Sequence, residues 1–60
     1  MIDKLLTPEE VAEMLGIAIH TLAVWRSEGR EDLPYIKVGR RVRYEQIAVS
    51  NYVDRQRHGA

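Results

Sequence analysis

The fold of this chain is constrained most by two segments that follow each other within sixty residues. Residues 6–25 show the spacing of two short helices joined by a tight turn. Residues 35–44, with the sequence YIKVGRRVRY, place β-branched and aromatic residues on both sides of a glycine, which is typical of a β-hairpin. Two helices followed by a hairpin predict a small, mostly helical α+β domain.

The first helix is predicted by several start and stop signals that agree. Thr7 can cap the helix, Pro8 suits its first position, and Glu10 stands where it can close a capping box. Gly16 can end the helix in a left-handed conformation, which glycine adopts without a Cβ clash. We therefore expect the first helix to lie between Thr7 and Gly16.

The second helix is predicted from about residue 19 to residue 28, with Gly29 as its stop. At about 100° per residue, Ala18, Leu22 and Trp25 lie on one side of this helix. Trp25 is predicted to belong to the core, because the chain has no Phe and the core needs a large apolar group. The opposite side is predicted to face solvent and holds His20, Ala23, Val24 and Ser27.

The register of the hairpin is predicted from its apolar positions. Pairing Val38 with Val42 places both side chains on one face of the hairpin. Ile36 then pairs with Tyr44 on that apolar face, and the basic side chains share the other face. This register leaves residues 39–41 as a three-residue loop with glycine first, although such loops usually have it last. A bulge is therefore an alternative, and two arginines lie at the tip in either case.

The third helix is predicted from residue 45 to residue 57, with an apolar stripe that includes Ile47, Val49, Tyr52 and Val53. The chain is then one domain, residues 1–60, with its core at about residues 5–54 and a flexible polar tail at 55–60. The predicted fold class is a small α+β fold, mostly α. It is a winged helix-turn-helix of three helices with a two-stranded β-hairpin wing.

Charge is divided unevenly along the chain although the net charge is zero. Residues 1–34 carry three basic and seven acidic side chains, whereas residues 35–60 carry six basic and two acidic ones. Because local potential decides where phosphate is attracted, the hairpin half is predicted to bind nucleic acid. The alternative is a solvated surface of mixed charge.

Other function classes lack the residues that they need. The chain has no cysteine, and its two isolated histidines form no metal motif. It has no paired carboxylates and no nucleophile beside a base, so we expect no enzyme activity and no cofactor or metal. No apolar run reaches the roughly 20 residues that span a bilayer, and no signal peptide begins the chain. We therefore expect a cytoplasmic location, without membrane contact or a small-molecule ligand.

The candidate DNA contacts fall into two groups. A helix of this size fits the major groove, where it can contact base edges. The predicted residues of this recognition helix are His20, Thr21, Ala23, Val24, Arg26 and Ser27. Basic side chains of the hairpin can reach phosphates or the minor groove. The predicted wing and phosphate contacts are Arg30, Lys37, Gly39, Arg40, Arg41 and Arg43.

Three motifs carry a family resemblance: LTPEEVAEMLG, the spacing of Thr21 and Leu22 with Trp25 and Arg26, and YIKVGRRVRY. Through them, about residues 5–54 resemble the excisionase and AlpA-like group of winged-helix proteins, which is related to the DNA-binding domains of MerR-type regulators. A stand-alone domain of this size looks most like a phage excisionase. The resemblance implies a DNA-bending factor in a bacterial host cell that directs a phage integrase, of tyrosine or serine type, toward excision.

Two features depart from the pattern of that family. Ala18 stands where the family often has Ser or Thr, so we expect the second helix to lack a side-chain cap. Ala23 and Val24 stand where it often has Arg or other polar residues, which leaves no Arg for guanine and no Asn for adenine. We therefore expect one copy to read sequence weakly. Affinity would then come from phosphates, from DNA shape and from cooperative self-association on repeated sites, with a dimer through the hairpin edge as one form.

Two alternative functions stay open on the sequence alone. An AlpA-like transcriptional regulator has the same fold, and no residue separates it from an excisionase. A protein-interaction module could instead pair through the hairpin edge and would not bind DNA. Independently of these functions, the alternative interpretation of Ala23 and Val24 is a partner surface or an incidental exposed pair.

Overall fold

The computed structural model describes residues 4–29 and 33–57 of the chain. The elements are β1 (Leu5–Leu6), α1 (Pro8–Leu15), α2 (Ile19–Ser27), β2 (Ile36–Val38), β3 (Arg41–Glu45) and α3 (Gln46–Gln56). The strands form an antiparallel sheet in the order β1-β3-β2. The predicted winged helix-turn-helix is confirmed, but its sheet has three strands rather than the predicted two.

Strand β1 is the element that the sequence pattern does not predict, because two residues are too few to show a strand period. Leu5 pairs with Glu45, and Leu6 pairs with Tyr44. These pairs place β3 in the middle of the sheet, with β2 on its other side. Among the described residues, the free edges of the hairpin are therefore the outer edge of β2 and the part of β3 before Tyr44 that β1 does not reach.

Helix α1 begins and ends as predicted. The Glu10 N–H donates to the Thr7 hydroxyl at 3.1 Å, and the Thr7 N–H donates to the Glu10 carboxylate at 2.8 Å, which completes the capping box. Gly16 has φ of 70°, and the Ile17 N–H donates to the Ala12 carbonyl at 3.0 Å. This is a Schellman arrangement, so both ends of α1 have satisfied backbone groups.

Helix α2 agrees with its predicted bounds to within one residue at its carboxyl end. Its N-cap, Ala18, has the extended backbone of a cap but provides no side-chain hydrogen bond, as predicted. The helix ends at Glu28, whose N–H donates to a carbonyl one turn earlier at 2.9 Å, and Gly29 follows with φ of 72°. Leu22, which is 1% exposed, fastens α2 to the core.

The predicted register of the hairpin is wrong by one residue. Val38 pairs with Arg41, and Ile36 pairs with Arg43, so residues 39–40 form a two-residue loop. Glycine at the first loop position has φ of 65°, and no described non-glycine residue has a positive φ, which matches a type II′ turn. The turn therefore decides the register. It can do so because Val38 is 51% exposed and lies outside the core cluster. Burial of Val38 therefore does not favour either register of the hairpin.

The predicted single apolar face of the hairpin is consequently also wrong. Tyr44 is buried, and Val42 packs half-buried against the core on the same face of β3. Ile36 and Val38 are paired with arginines and lie on the other face. The outer face of the wing thus combines apolar and cationic side chains.

The core is centred on Val11, Leu22 and Tyr44, each exposed by 1% or less. Trp25 packs against this cluster from its rim and is only half-buried. Its ring lies against Tyr52, with centroids 5.8 Å apart and an interplanar angle of 46°. Tyr44, rather than Trp25, is therefore the aromatic residue at the centre of the core.

Apolar positions in two further segments depend on tertiary packing. Two members of the predicted stripe on α3 are exposed, Ile47 by 61% and Val53 by 37%, whereas Ala48 and Val49 take the buried positions at the start of this helix. Leu33 is buried in the core cluster, although it lies in the connection between α2 and β2. Both differences arise from the way these segments dock on the sheet, which the periodicity of one segment does not report.

Candidate nucleic-acid interface

The outer side of α2 presents small and apolar side chains. Val24 is 36% exposed, and His20 and Ser27 are exposed beside it. Ala23 and Thr21 are half-buried at the margins of this surface. These side chains can contact thymine methyl groups and form a few hydrogen bonds, but they include no bidentate partner for guanine or adenine.

Arg26 is the remaining predicted residue of α2, and it is half-buried. Its charge acts on Tyr44 of β3. Burial raises the pKa of Tyr44, while the charge of Arg26 and its hydrogen bond to the phenol oppose that rise. Arg26 thus differs from the exposed residues of α2, such as Val24 and Ser27, because it lies close enough to Tyr44 for its charge to act on the phenol.

The tip of the wing carries three exposed cations. Arg40 lies in the loop at residues 39–40, and Lys37 and Arg41 lie on the two strands beside it. The positive φ of Gly39 allows the tight reversal of the chain. Across residues 4–29 and 33–57, no carboxylate forms an ion pair with any of the three. Because these cations are exposed and form no ion pair within the described residues, the tip can attract phosphate.

Arg43 does not belong to this exposed tip. It is half-buried, and its Nη1 donates to the carbonyl of Val42 at 2.7 Å. The pKa of Glu10 lies below its ordinary value because the Thr7 N–H donates to the carboxylate, and the charges of Lys4 and Arg43 lower it further. Arg43 therefore lies near the start of α1, at the base of the wing.

Two residues of the candidate interface remain to be placed, Arg30 and Val38. Arg30 lies outside the described residues. Val38 adds an exposed apolar side chain to the face that carries Arg41, a combination that the predicted register would have separated. The signal that could have located it is the glycine at the first loop position, which favours a two-residue type II′ turn.

A groove of about 330 Å³ lies among α1, α2 and α3. Its lining is mostly apolar and consists of Met14, Leu15, Ile17, Trp25, Tyr52, Val53 and Gln56. Within the described ranges, acidic residues, histidines and cysteines form no group of three that could hold a metal ion. In those same ranges, no helix combines the length and the apolar content that crossing a bilayer demands.

Comparison with known proteins identifies one family. Residues 5–57 match the family described as Helix-turn-helix domain. The match extends from β1 through α3 and so includes both the outer side of α2 and the wing. Curated proteins and solved structures provide no match to the chain.

Proposed function

The chain belongs to the helix-turn-helix domain family, which is a family of DNA-binding domains, and we propose that it is a DNA-bending accessory factor that directs a phage integrase toward excision. One observation carries this proposal. The recognition helix exposes a side without Arg or Asn, while the tip of the wing holds three exposed cations that form no ion pair with a described carboxylate. Such a protein gains affinity mainly from phosphates and little from base edges.

Weak readout by one copy favours binding as an array. A single module of this size buries only about 600–1,000 Å² on DNA. Ala23 and Val24 offer contact to thymine methyl groups but no strong discrimination between bases. Several copies on neighbouring repeats would add phosphate contacts, and each would contribute to a bend. Such an array suits an accessory factor for recombination, because the bound copies together give the DNA segment a bent shape.

Self-association would use the free edge of β2. Among the described strands, β2 has a partner on one side only, so its outer edge can pair with a strand of another copy. Val38 on this edge is 51% exposed, which gives the contact an apolar component. We propose that neighbouring copies on DNA meet through this edge, with a dimer as the smallest form.

The wing is tested by its salt dependence. Changing Arg40 and Arg41 to Ala should weaken binding to many DNA sequences alike and lower the salt slope by about 1 to 2. The matched control changes Arg55 and Arg57 to Ala, which removes the same charge from exposed positions on and after α3. Equal effects in the two variants would mean that overall charge, rather than the wing, governs binding.

The recombination role is tested on selected DNA. Sites are first enriched from random duplexes, and binding is then titrated on DNA with one, two and three copies of the site. We expect cooperative filling, a cumulative bend in a circular-permutation assay, and stimulation of excision alone by an integrase encoded beside this gene. Independent filling without a bend and without an effect on recombination would contradict the excisionase role and favour an AlpA-like regulator.

A further inference from the structure

The apolar groove among the three helices lies away from the surface that the proposed function gives to DNA. Trp25 lines the groove, and it lies about 100° around α2 from Val24, which is exposed on the outer side of this helix. The other lining residues belong to the carboxyl halves of α1 and α3 or to the turn after α1. A segment seated in the groove would therefore leave the outer side of α2 uncovered.

The groove has an aromatic floor and an exposed apolar rim. The rings of Trp25 and Tyr52 lie against each other, with centroids 5.8 Å apart. At the rim, Met14 is 58% exposed and Val53 is 37% exposed. Apolar side chains grouped around a concave surface are typical of an interaction site, and the unbranched methionine can adapt to a partner. Apart from Gln56, the lining side chains are apolar or aromatic, so the groove offers few of the converging polar groups that orient a small ligand.

Acidic side chains flank this groove. Glu13 lies on α1 next to the methionine of the rim, and Glu28 lies about one turn after the tryptophan that lines the groove from α2. Both carboxylates are exposed, and neither forms an ion pair within the part of the chain that the structure describes. Asp54 and Arg57 at the end of α3 pair with each other at 3.3 Å and add no net charge. The surroundings of the groove are therefore acidic, which favours a partner with basic side chains.

The walls of the groove restrict the kind of segment that can fill it. They are helices, so the groove has no strand edge to which an extended segment could add. A helix can instead place apolar side chains, one turn apart, between these walls. A second copy bound by twofold symmetry would bring Glu13 and Glu28 of both copies together, which like-charge repulsion disfavours.

We propose that this groove is the docking site for an amphipathic helix of a partner protein, which inserts apolar side chains between α1, α2 and α3 and carries Lys or Arg beside them. The inference goes beyond the proposed function and does not depend on DNA binding. The apolar side chains of the partner helix would cover Met14 and Val53 and supply most of the affinity. Its basic side chains would lie beside Glu13 and Glu28 and select it over acidic helices.

The proposal is tested first by selection without DNA. A displayed library holds helices of about four turns with apolar residues at positions i, i+3, i+4 and i+7, and the positions beside them are drawn equally from Lys, Glu and Gln. Helices are scored where the wild-type domain enriches them and the folded Met14→Ser variant does not. We expect these helices to carry Lys rather than Glu. The absence of such helices, or a preference for Glu among them, would overturn the proposal.

An enriched peptide is then titrated against variants whose folding is checked by circular dichroism. Val53→Ser should weaken binding by about tenfold, because it removes an apolar contact on the other side of the rim. Ile47→Ser is the matched control on the same helix and should leave the affinity unchanged, since Ile47 is 61% exposed and does not line the groove. At low salt, Glu13→Gln and Glu28→Gln should each weaken binding by about threefold. Glu45→Gln, at the opposite end of α3, should have no effect.

Two further results would overturn the inference. Equal losses of affinity in Val53→Ser and Ile47→Ser would mean that the peptide binds apolar surface in general rather than this groove. Sedimentation equilibrium without peptide tests the other occupant. A wild-type dimer that dissociates in Met14→Ser but not in Ile47→Ser would mean that a second copy of the chain fills the groove, whereas a monomer leaves it open to the partner helix.

Discussion

The amino end of α2 lacks a side-chain cap, and adding one should stabilise the domain. Ala18 has φ of −70° and ψ of 145°, close to the −77° and 158° of Thr7, which caps α1. A serine hydroxyl at position 18 can therefore accept a hydrogen bond from a backbone N–H of the first turn with little backbone movement. Because Ala18 is exposed, the hydroxyl need not be buried. We expect Ala18→Ser to be more stable than the wild type.

The size of this effect follows from the same comparison. A Ser or Thr cap is more stable than Ala by about 0.5–2 kcal/mol. A domain of this length has a total free energy of unfolding of about 3–9 kcal/mol, so one cap is a substantial fraction. Each kcal/mol should raise the melting temperature by about 4–8 °C. Thr7→Ala is the matched variant of opposite sign, because it removes from α1 the cap that α2 lacks.

The assay is urea and thermal unfolding followed by circular dichroism for the wild type, Ala18→Ser and Thr7→Ala. The urea midpoint should move up in the first variant and down in the second, with an unchanged m-value. If Ala18→Ser melts at or below the wild type while Thr7→Ala is destabilised, then the first turn of α2 does not offer its N–H groups to a cap. That result would refute the reasoning from backbone geometry.

Three further changes test other parts of the structure. The pKa of Glu10 is lowered in the folded state, chiefly by the Thr7 N–H, so the stability of the domain should fall as pH drops below about 4.5. In acid unfolding curves, Glu10→Gln should reduce this loss of stability. Trp25→Ala should lower the free energy of unfolding in urea by about 2–3 kcal/mol, which is less than for a fully buried aromatic residue because Trp25 is half-buried. A loss below about 1 kcal/mol would contradict the packing of Trp25 on Tyr52. Gly39→Ala should reduce the stability of the domain by about 1–2 kcal/mol through the positive φ alone, since an added Cβ meets no atom within 4 Å. An unchanged melting temperature in Gly39→Ala would exclude the type II′ turn.

Local features of this protein could be predicted from its sequence. The capping box of α1, the left-handed Gly16 and the uncapped Ala18 all appear where the sequence indicates them. Their partners lie within about one helical turn, so the relevant interactions are set by neighbouring residues. The exposed side of α2 and the cations at the tip of the wing follow for the same reason, since periodicity decides which residues face away from a core.

The register of the wing follows from the glycine at the first loop position and not from the assumption that Val38 belongs to the core. The apolar positions predict a register with Val38 opposite Val42, whereas Val38 lies opposite Arg41. The core needs Val42 and Tyr44 but does not reach Val38, so the tight turn at Gly39 sets the pairing. How far the core extends along a hairpin is a property of the whole structure.

Only the tertiary structure decides the contacts between distant segments. Leu5 pairs with Glu45, forty residues away, and two leucines have no pattern that specifies this partner. The same holds for the cations of the candidate interface. The charge of Arg26 acts on Tyr44 and that of Arg43 acts on Glu10, while Arg40 is exposed at the tip. Sequence determines that these side chains are long and charged, but the groups within their reach depend on how the sheet and helices pack.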